Sequence, residues 1–359
     1  MKKSIVVTAA VSTLFLLTAC QGAEAPETVL QIPEVAGAEL TASVSTPDAT
    51  NVSTLRSGLG VITTLTSSKE ATDEKDGQGQ VDSIIVGLTV DENDIIQDIR
   101  IDAAQTRVGF SNEGQILSDL NAPVFSKIEL GTDYGMGQVS EVGEYYEQMA
   151  GLREWAIGRS VSEFMGMPLD GGHATDADLM ATTTISVDGY INTFSKAIEN
   201  LNTHQLEGGE KIGLGIETKI SGSKNASEET NGSLEVASYI AMLTLNEEGI
   251  ITSVTLDRAQ SRIGIDGTGA YTTDISEPVL TSVELGDDYN MRRVSGIEKE
   301  LFEQYEGLEA WMIGKTPEEV ITMTLDEGGH PTDVDVRTSA TIALDDILVA
   351  VQKAAENIK

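Results

Sequence analysis

The chain has 359 residues, with 58 acidic against 23 basic side chains and a formal net charge of −35. So acidic a chain excludes nucleic acid as a natural partner and argues against lying flat on an anionic bilayer. Aromatic residues are only 4%, too few for sugar- or base-stacking platforms, and the single cysteine leaves no disulfide framework and no cysteine metal cluster.

At the N-terminus, Lys2 and Lys3 precede a mostly apolar stretch from Ile5 to Leu17, too short to span a bilayer comfortably. It ends in Leu17-Thr18-Ala19-Cys20, which resembles the bacterial lipobox. The resemblance implies a signal peptide over 1–19, lipidation of Cys20, and anchoring to the outer face of a bacterial cell membrane. Residues 20–50 hold prolines among Ala, Thr, Ser and Glu with little periodicity, the pattern of a disordered tether.

From about residue 51 the sequence repeats itself. Gly58-Leu59-Gly60 matches Gly213-Leu214-Gly215, and Glu129-Leu130-Gly131 with Asp133, Tyr134 and Met136 matches Glu284-Leu285-Gly286 with Asp288, Tyr289 and Met291. After a one-residue slip, Glu147-Gln148, Leu152 and Trp155 match Glu303-Gln304, Leu308 and Trp311. After another, Gly171-Gly172-His173 matches Gly328-Gly329-His330. The expected organisation is α+β: tandem duplicated domains over 51–204 and 205–359, each an antiparallel sheet packed with helices. Residues 202–212, with Gly208-Gly209, read as a linker that lets the domains move independently.

Within each copy the elements run in the same order. In the second, Val236, Ser238, Ile240, Met242 and Thr244 share a strand face. Asn246-Glu247-Glu248-Gly249 then turns the chain, and Ile250, Thr252, Val254 and Leu256 continue at period two. Helices are expected near 140–157 and 295–312, with Val142, Tyr145, Met149 and Leu152 as the first stripe. Ser160 with Glu163, and Thr316-Pro317-Glu318-Glu319, are capping boxes of short helices. A long helix closes each copy, striped by Val187, Tyr190, Ile191, Phe194, Ile198 and Leu201, and by Leu344, Ile347, Leu348, Val351, Ala355 and Ile358.

The chemically informative stretch precedes each closing helix. It reads Asp333-Val334-Asp335-Val336-Arg337-Thr338-Ser339-Ala340-Thr341 in the second copy and Asp176-Ala177-Asp178-Leu179-Met180-Ala181-Thr182-Thr183-Thr184 in the first. The plain reading of hydroxyl residues before a helix is capping. A helix start is also a place where free backbone N–H groups and the dipole stabilise a phosphate. His173 and His330 lie eleven residues before Thr184 and Thr341 and are either turn residues or hydrogen-bond partners of a bound group. The Asp-x-Asp pairs lack the glycine and distal glutamate of a calcium loop. No metal site and no nucleophile–His–Asp arrangement stands out.

Asp335 to Thr341, followed by an Ala/Val-rich helix, resembles the flavinylation motif of FMN-binding-domain proteins, roughly Asp-x-x-Ser/Thr-Gly/Ser-Ala-Thr. That family includes peripheral subunits of sodium-pumping quinone reductases and Rnf complexes, and surface lipoproteins of extracellular electron transfer of the PplA type. Tyr134-Gly135-Met136, the Glu-Gln and Trp of the middle helix, and Trp311 to Thr316 resemble the lipoprotein branch. The resemblance implies covalent FMN, joined through its phosphate to Thr341 and, by register, to Thr184. Thr338, Ser339, Ala340, Asp335, Asp178, His330 and His173 are the implied surrounding residues. It implies a flavin transferase as maturation partner, a membrane quinol or NADH dehydrogenase as electron donor, and an extracellular acceptor. The protein would then be an electron carrier without substrate turnover of its own. The first copy departs from the motif, with Thr183 where alanine is expected, so Thr183 and Thr184 both stand as acceptors there. A Glu-Thr-Pro-Gly-x-Gly loop is missing. The other reading is a non-redox solute-binding or adhesive surface lipoprotein.

Overall fold

A computed structural model of the chain describes residues 54–205 and 211–358. The expected signal peptide, Cys20, the tether and Gly208-Gly209 lie outside the described residues.

Three long strands open the first half: β1 (Thr54–Thr64), β2 (Gly77–Val90) and β3 (Ile96–Phe110). Helices α1 (Lys127–Leu130), α2 (Tyr145–Ala156) and α3 (Val161–Met165) follow. The two-residue strands β4 (Leu169–Asp170) and β5 (His173–Ala174), then α4 (Ala177–Met180), lead to the closing helix α5 (Asp188–Glu199). Strand β6 (Asn202–Gln205) pairs with β1, giving an antiparallel sheet of order β3-β2-β1-β6. The expected linker therefore begins as a sheet strand.

In the second half β7 (Ile212–Lys219), β8 (Gly232–Leu245) and β9 (Ile251–Ile265) form an antiparallel sheet of that order. Helices α6 (Leu301–Met312), α7 (Pro317–Ile321), α8 (Val334–Arg337) and α9 (Asp345–Glu356) follow.

Gly-Leu-Gly has a packing cause. Gly213 and Gly215 face α9 so closely that an added Cβ would lie 1.9 Å from the Ala354 carbonyl oxygen and 2.0 Å from that of Ala350. Gly58 and Gly60 stand likewise against Ala197 and Thr193 of α5. Glycine lets a helix backbone settle onto the sheet. The leucine between the glycines points the other way, into the core on the far side of its sheet.

That far side holds the main departure from the expected independent domains. Leu59, Val61, Ile85 and Ala104 of the first sheet pack against Ile212, Leu214, Ile216, Ile240, Met242 and Ala259 of the second. Phe110 and Val108 likewise meet Leu234, Val236 and Ile263. The sheets lie face to face with helices on both outer sides, and residues 51–359 are one compact unit. Each fully buried Ile or Leu of this core contributes about 1.5–3 kcal/mol, so the halves are held by far more than a tether.

The contacts are reciprocal. Lys196 Nζ meets Glu284 at 2.5 Å and Lys353 Nζ meets Glu129 at 2.7 Å. Val124 bridges to Thr218, and Thr63 to Val279. Ala226 N–H donates to Gly114 O, and Ala71 N–H to Gly269 O. Equivalent positions differ at one buried link. Asp98 accepts from Ile212 N–H at 3.0 Å and from Arg153 at 2.6 Å, whereas Ser253 meets Ser57 at 3.1 Å.

Three expectations shift locally. Helices α2 and α6 start later than expected because Glu144 and Glu300 close capping boxes with Glu147 and Glu303, which leaves Val142 in the preceding turn. A bulge offsets β9 from β8, pairing Leu245 with Ile251 and Thr244 with Ser253, so Ile251 takes the core position expected for Ile250. In α9 the buried alanines are Ala350 and Ala354, not Ala355.

Candidate functional site

Neither threonine run caps the closing helix. The N-cap residues of α5 and α9 are Val187 and Leu344, with no side-chain capping bond. Thr184 and Thr341 lie three residues before them, in the loops joining α4 to α5 and α8 to α9. The helix-start phosphate site is displaced for the same reason, and α9 opens with Asp345 and Asp346 in its first turn. Capping falls to the aspartates instead. Asp176 accepts from Asp178 and Leu179 N–H, and Asp333 accepts from Asp335 N–H. The Leu179 N–H, aided by the Trp155 indole, holds the Asp176 carboxyl below the usual carboxylate range. Asp178 and Asp335 remain exposed in the first turns of α4 and α8.

Both loops are anchored by a glutamine of the middle helix. Gln304 is fully buried on α6, and its Oε1 accepts from the Thr341 N–H at 2.9 Å and from the Thr341 hydroxyl at 3.4 Å. Gln148 of α2 does the same for Thr184, at 2.9 and 3.4 Å, and also accepts from Ile185 N–H. Behind each carboxamide, Nε2 donates to a methionine sulfur, Met136 at 3.3 Å and Met291 at 3.2 Å. Each methionine N–H is in turn fixed by a buried glutamate, Glu144 or Glu300. A glutamine inside an apolar helical stripe was the available sequence signal: Gln148 falls between Tyr145 and Leu152 on the buried face of α2.

One turn along each middle helix, glycine lets the loop come close. An added Cβ at Gly151 would lie 2.5 Å from Thr182, and one at Gly307 would lie 2.7 Å from Ser339. Ala340 is fully buried. Its counterpart Thr183 is buried too and donates to the Gln148 carbonyl at 3.0 Å, while Thr184 is exposed. The structure thus separates the two hydroxyls left open by the sequence: Thr183 fills the alanine's place in the core, and Thr184 faces outward. Thr338 donates to Asp335 O at 2.8 Å and is exposed, Ser339 and Thr341 being half-buried.

The histidines diverge. The His173 ring meets the Thr184 carbonyl at 2.9 Å through Nδ1, following the turn at Gly171-Gly172. His330 Nδ1 instead meets Asp326 at 3.1 Å. Backbone N–H donation from His330 holds the Asp326 carboxyl below its ordinary range. Even so, His330 shares a depression of about 370 Å³ with Thr341, Arg337, Thr332, Pro331 and Asp326.

The tyrosines and tryptophans pack as core supports. Tyr134 meets Tyr145 edge-on at 5.7 Å, and Tyr289 hydrogen-bonds Arg258. Trp155 and Trp311 lie half-buried against the two cores, beneath Arg159 and Lys315. Among the described residues no His, Cys, Asp and Glu cluster suits a metal, and no helix is long and apolar enough to cross a membrane. No protein-family model matches the chain, and no curated protein and no solved structure matches it.

Proposed function

We propose that this is a cell-surface, lipid-anchored flavoprotein made of two duplicated FMN-binding-like domains, with FMN joined by a phosphodiester to Thr341 and to Thr184. It carries electrons from a membrane quinol or NADH dehydrogenase to an extracellular acceptor. One observation carries the reading: in both halves the last threonine of the motif, exposed at Thr184 and half-buried at Thr341, is uncommitted to helix capping and sits on a backbone pinned by a buried glutamine. A modifying enzyme needs such a hydroxyl, accessible and held in place. The reciprocal contacts and the common order of elements support the duplication.

The residues fit the group. Thr341 and Thr184 would carry the phosphate, Gln304 and Gln148 would hold their backbones, and the depression beside Thr341 leaves room for the ester. Bound FMN supplies redox chemistry that the side chains do not. The chain contributes position, tether and electrostatics. An anchored cofactor also escapes dilution outside the cell.

The test is co-expression with a flavin transferase, followed by a denaturing gel and intact-mass measurement. Fluorescence should stay with the band, and mass should count two flavins. Thr341→Val and Thr184→Val should each remove one, and Thr183→Val neither. A colourless band beside an active transferase would sink the proposal. A non-redox solute receptor is favoured by one other feature, a cleft of about 340 Å³ between the halves, lined by Ile99, Ile101, Met149, Leu214 and Arg100. The same colourless band would leave that reading standing.

A further inference from the structure

Thr341 and Thr184 hold equivalent places in unlike electrostatic surroundings. The second loop is flanked in sequence by four acids, Asp333, Asp335, Asp345 and Asp346, and the first by three, Asp176, Asp178 and Asp188. A phosphodiester added to either threonine brings a further negative charge into that surface, on a chain already at −35. Only the second loop carries a cation of its own. Arg337 ends α8, is exposed, and lines the same depression as Thr341. Its guanidinium pairs with no acid among the described residues. The acid in that depression, Asp326, is occupied with its own turn: one oxygen accepts from Gly328 N–H, His330 N–H and His330 Nδ1. In the first half the position of Arg337 is taken by Met180, 51% exposed. Arg159 does not replace it: that guanidinium stacks 4.3 Å over Trp155 and shares a depression with Asp178 and Thr182 that excludes Thr184.

We propose that Arg337 is the phosphate-binding residue of the second site, and that its replacement by Met180 makes Thr184 the weaker acceptor, so the chain takes its first flavin at Thr341. The proposal rests on the flavin reading above. In the step concerned, the Thr341 oxygen forms a bond to the FMN-side phosphorus of FAD and the pyrophosphate P–O bond breaks. AMP leaves with the bridging oxygen, and the hydroxyl proton passes to a base of the transferase. Arginine suits the product because its planar fork meets two phosphate oxygens at once and stays charged at any physiological pH.

The experiment treats the mature chain with flavin transferase and FAD and follows each threonine by peptide mass. In the wild type Thr341 should label about tenfold faster than Thr184, the scale of one charge-assisted hydrogen bond to phosphate. Arg337→Met should bring Thr341 down to the rate of Thr184, Arg337→Lys should restore part of it, and Met180→Arg should raise Thr184. Both side chains are exposed, so melting temperatures should not move. The phosphorus NMR signal of Thr341-linked flavin should shift in Arg337→Met. Equal labelling of the two threonines in the wild type overturns the proposal, and so does an Arg337→Met variant that labels at the wild-type rate. Slower labelling with an unmoved phosphorus signal assigns Arg337 to transferase recognition and also overturns it. Absence of label on the wild type, beside a transferase that modifies a control acceptor, overturns the flavin reading itself.

Discussion

Burial pushes the Asp102 carboxyl up to about 7 and the Asp257 carboxyl up to about 6, and it raises Glu309 to about 7. Hydrogen bonds from Ser126 and from the Ala103 and Ile128 N–H groups oppose the shift at Asp102 without cancelling it. The sign of the linkage follows directly. An acid whose folded pKa lies above its unfolded value of about 4 binds more protons in the folded state between those values, so stability falls as pH rises through that window. These three groups cost nothing below about pH 4, cost progressively more up to about pH 7, and level off above it. Thermal melting should therefore occur at a lower temperature at roughly pH 8 than at roughly pH 5. General charge repulsion acts with the same sign, so the comparison is with Asp102→Asn, Asp257→Asn, Glu309→Gln. That triple variant should show a flatter profile, and an unchanged slope would refute the assignment. Asp102 and Asp257 match between the halves of the sequence, but the burial of these acids was not legible there, because burial of a carboxylate depends on what folds over it. Thr183 and Thr184 show the same limit: two adjacent hydroxyls, one inside and one outside, distinguished only by Gln148.

Elements were more legible than residues. The capping boxes at Ser160 and Thr316 form as their spacing requires, and the stripes of the closing helices face their sheets. What eluded periodicity was the bulge after Thr244 and the late start of the middle helices, both set by one-residue details of hydrogen bonding. The Gly-Leu-Gly repeats were visible as a match but not as a cause. Their cause predicts a contrast. Gly215→Ala drives a methyl into the Ala350 carbonyl and the Ala354 N–H and should destabilise by about 1–3 kcal/mol, as overpacking does. Gly296→Ala meets open space and should stay within about 0.5 kcal/mol of wild type. Denaturant melts of the two variants decide it, and equal stability would remove the close-approach explanation.

At the scale of the whole molecule the two antiparallel sheets face each other, each covering the apolar face of the other. Fragments 51–205 and 211–359 should therefore copurify as a one-to-one complex when co-expressed. Alone, each should self-associate or aggregate, because Leu59, Val61 and Ile85, or Ile216, Ile240 and Met242, would be exposed. A monomeric, cooperatively melting half would contradict the shared core. The sequence by itself determined the mixed α and β class, the helix faces and the motif matches between the halves, because these follow from local periodicity and register. Tertiary structure alone decided that the two sheets are packed together, that a buried glutamine holds each candidate threonine, and that Thr183 is enclosed. Those outcomes arise between segments far apart in the chain, where no local pattern records which surface will cover which.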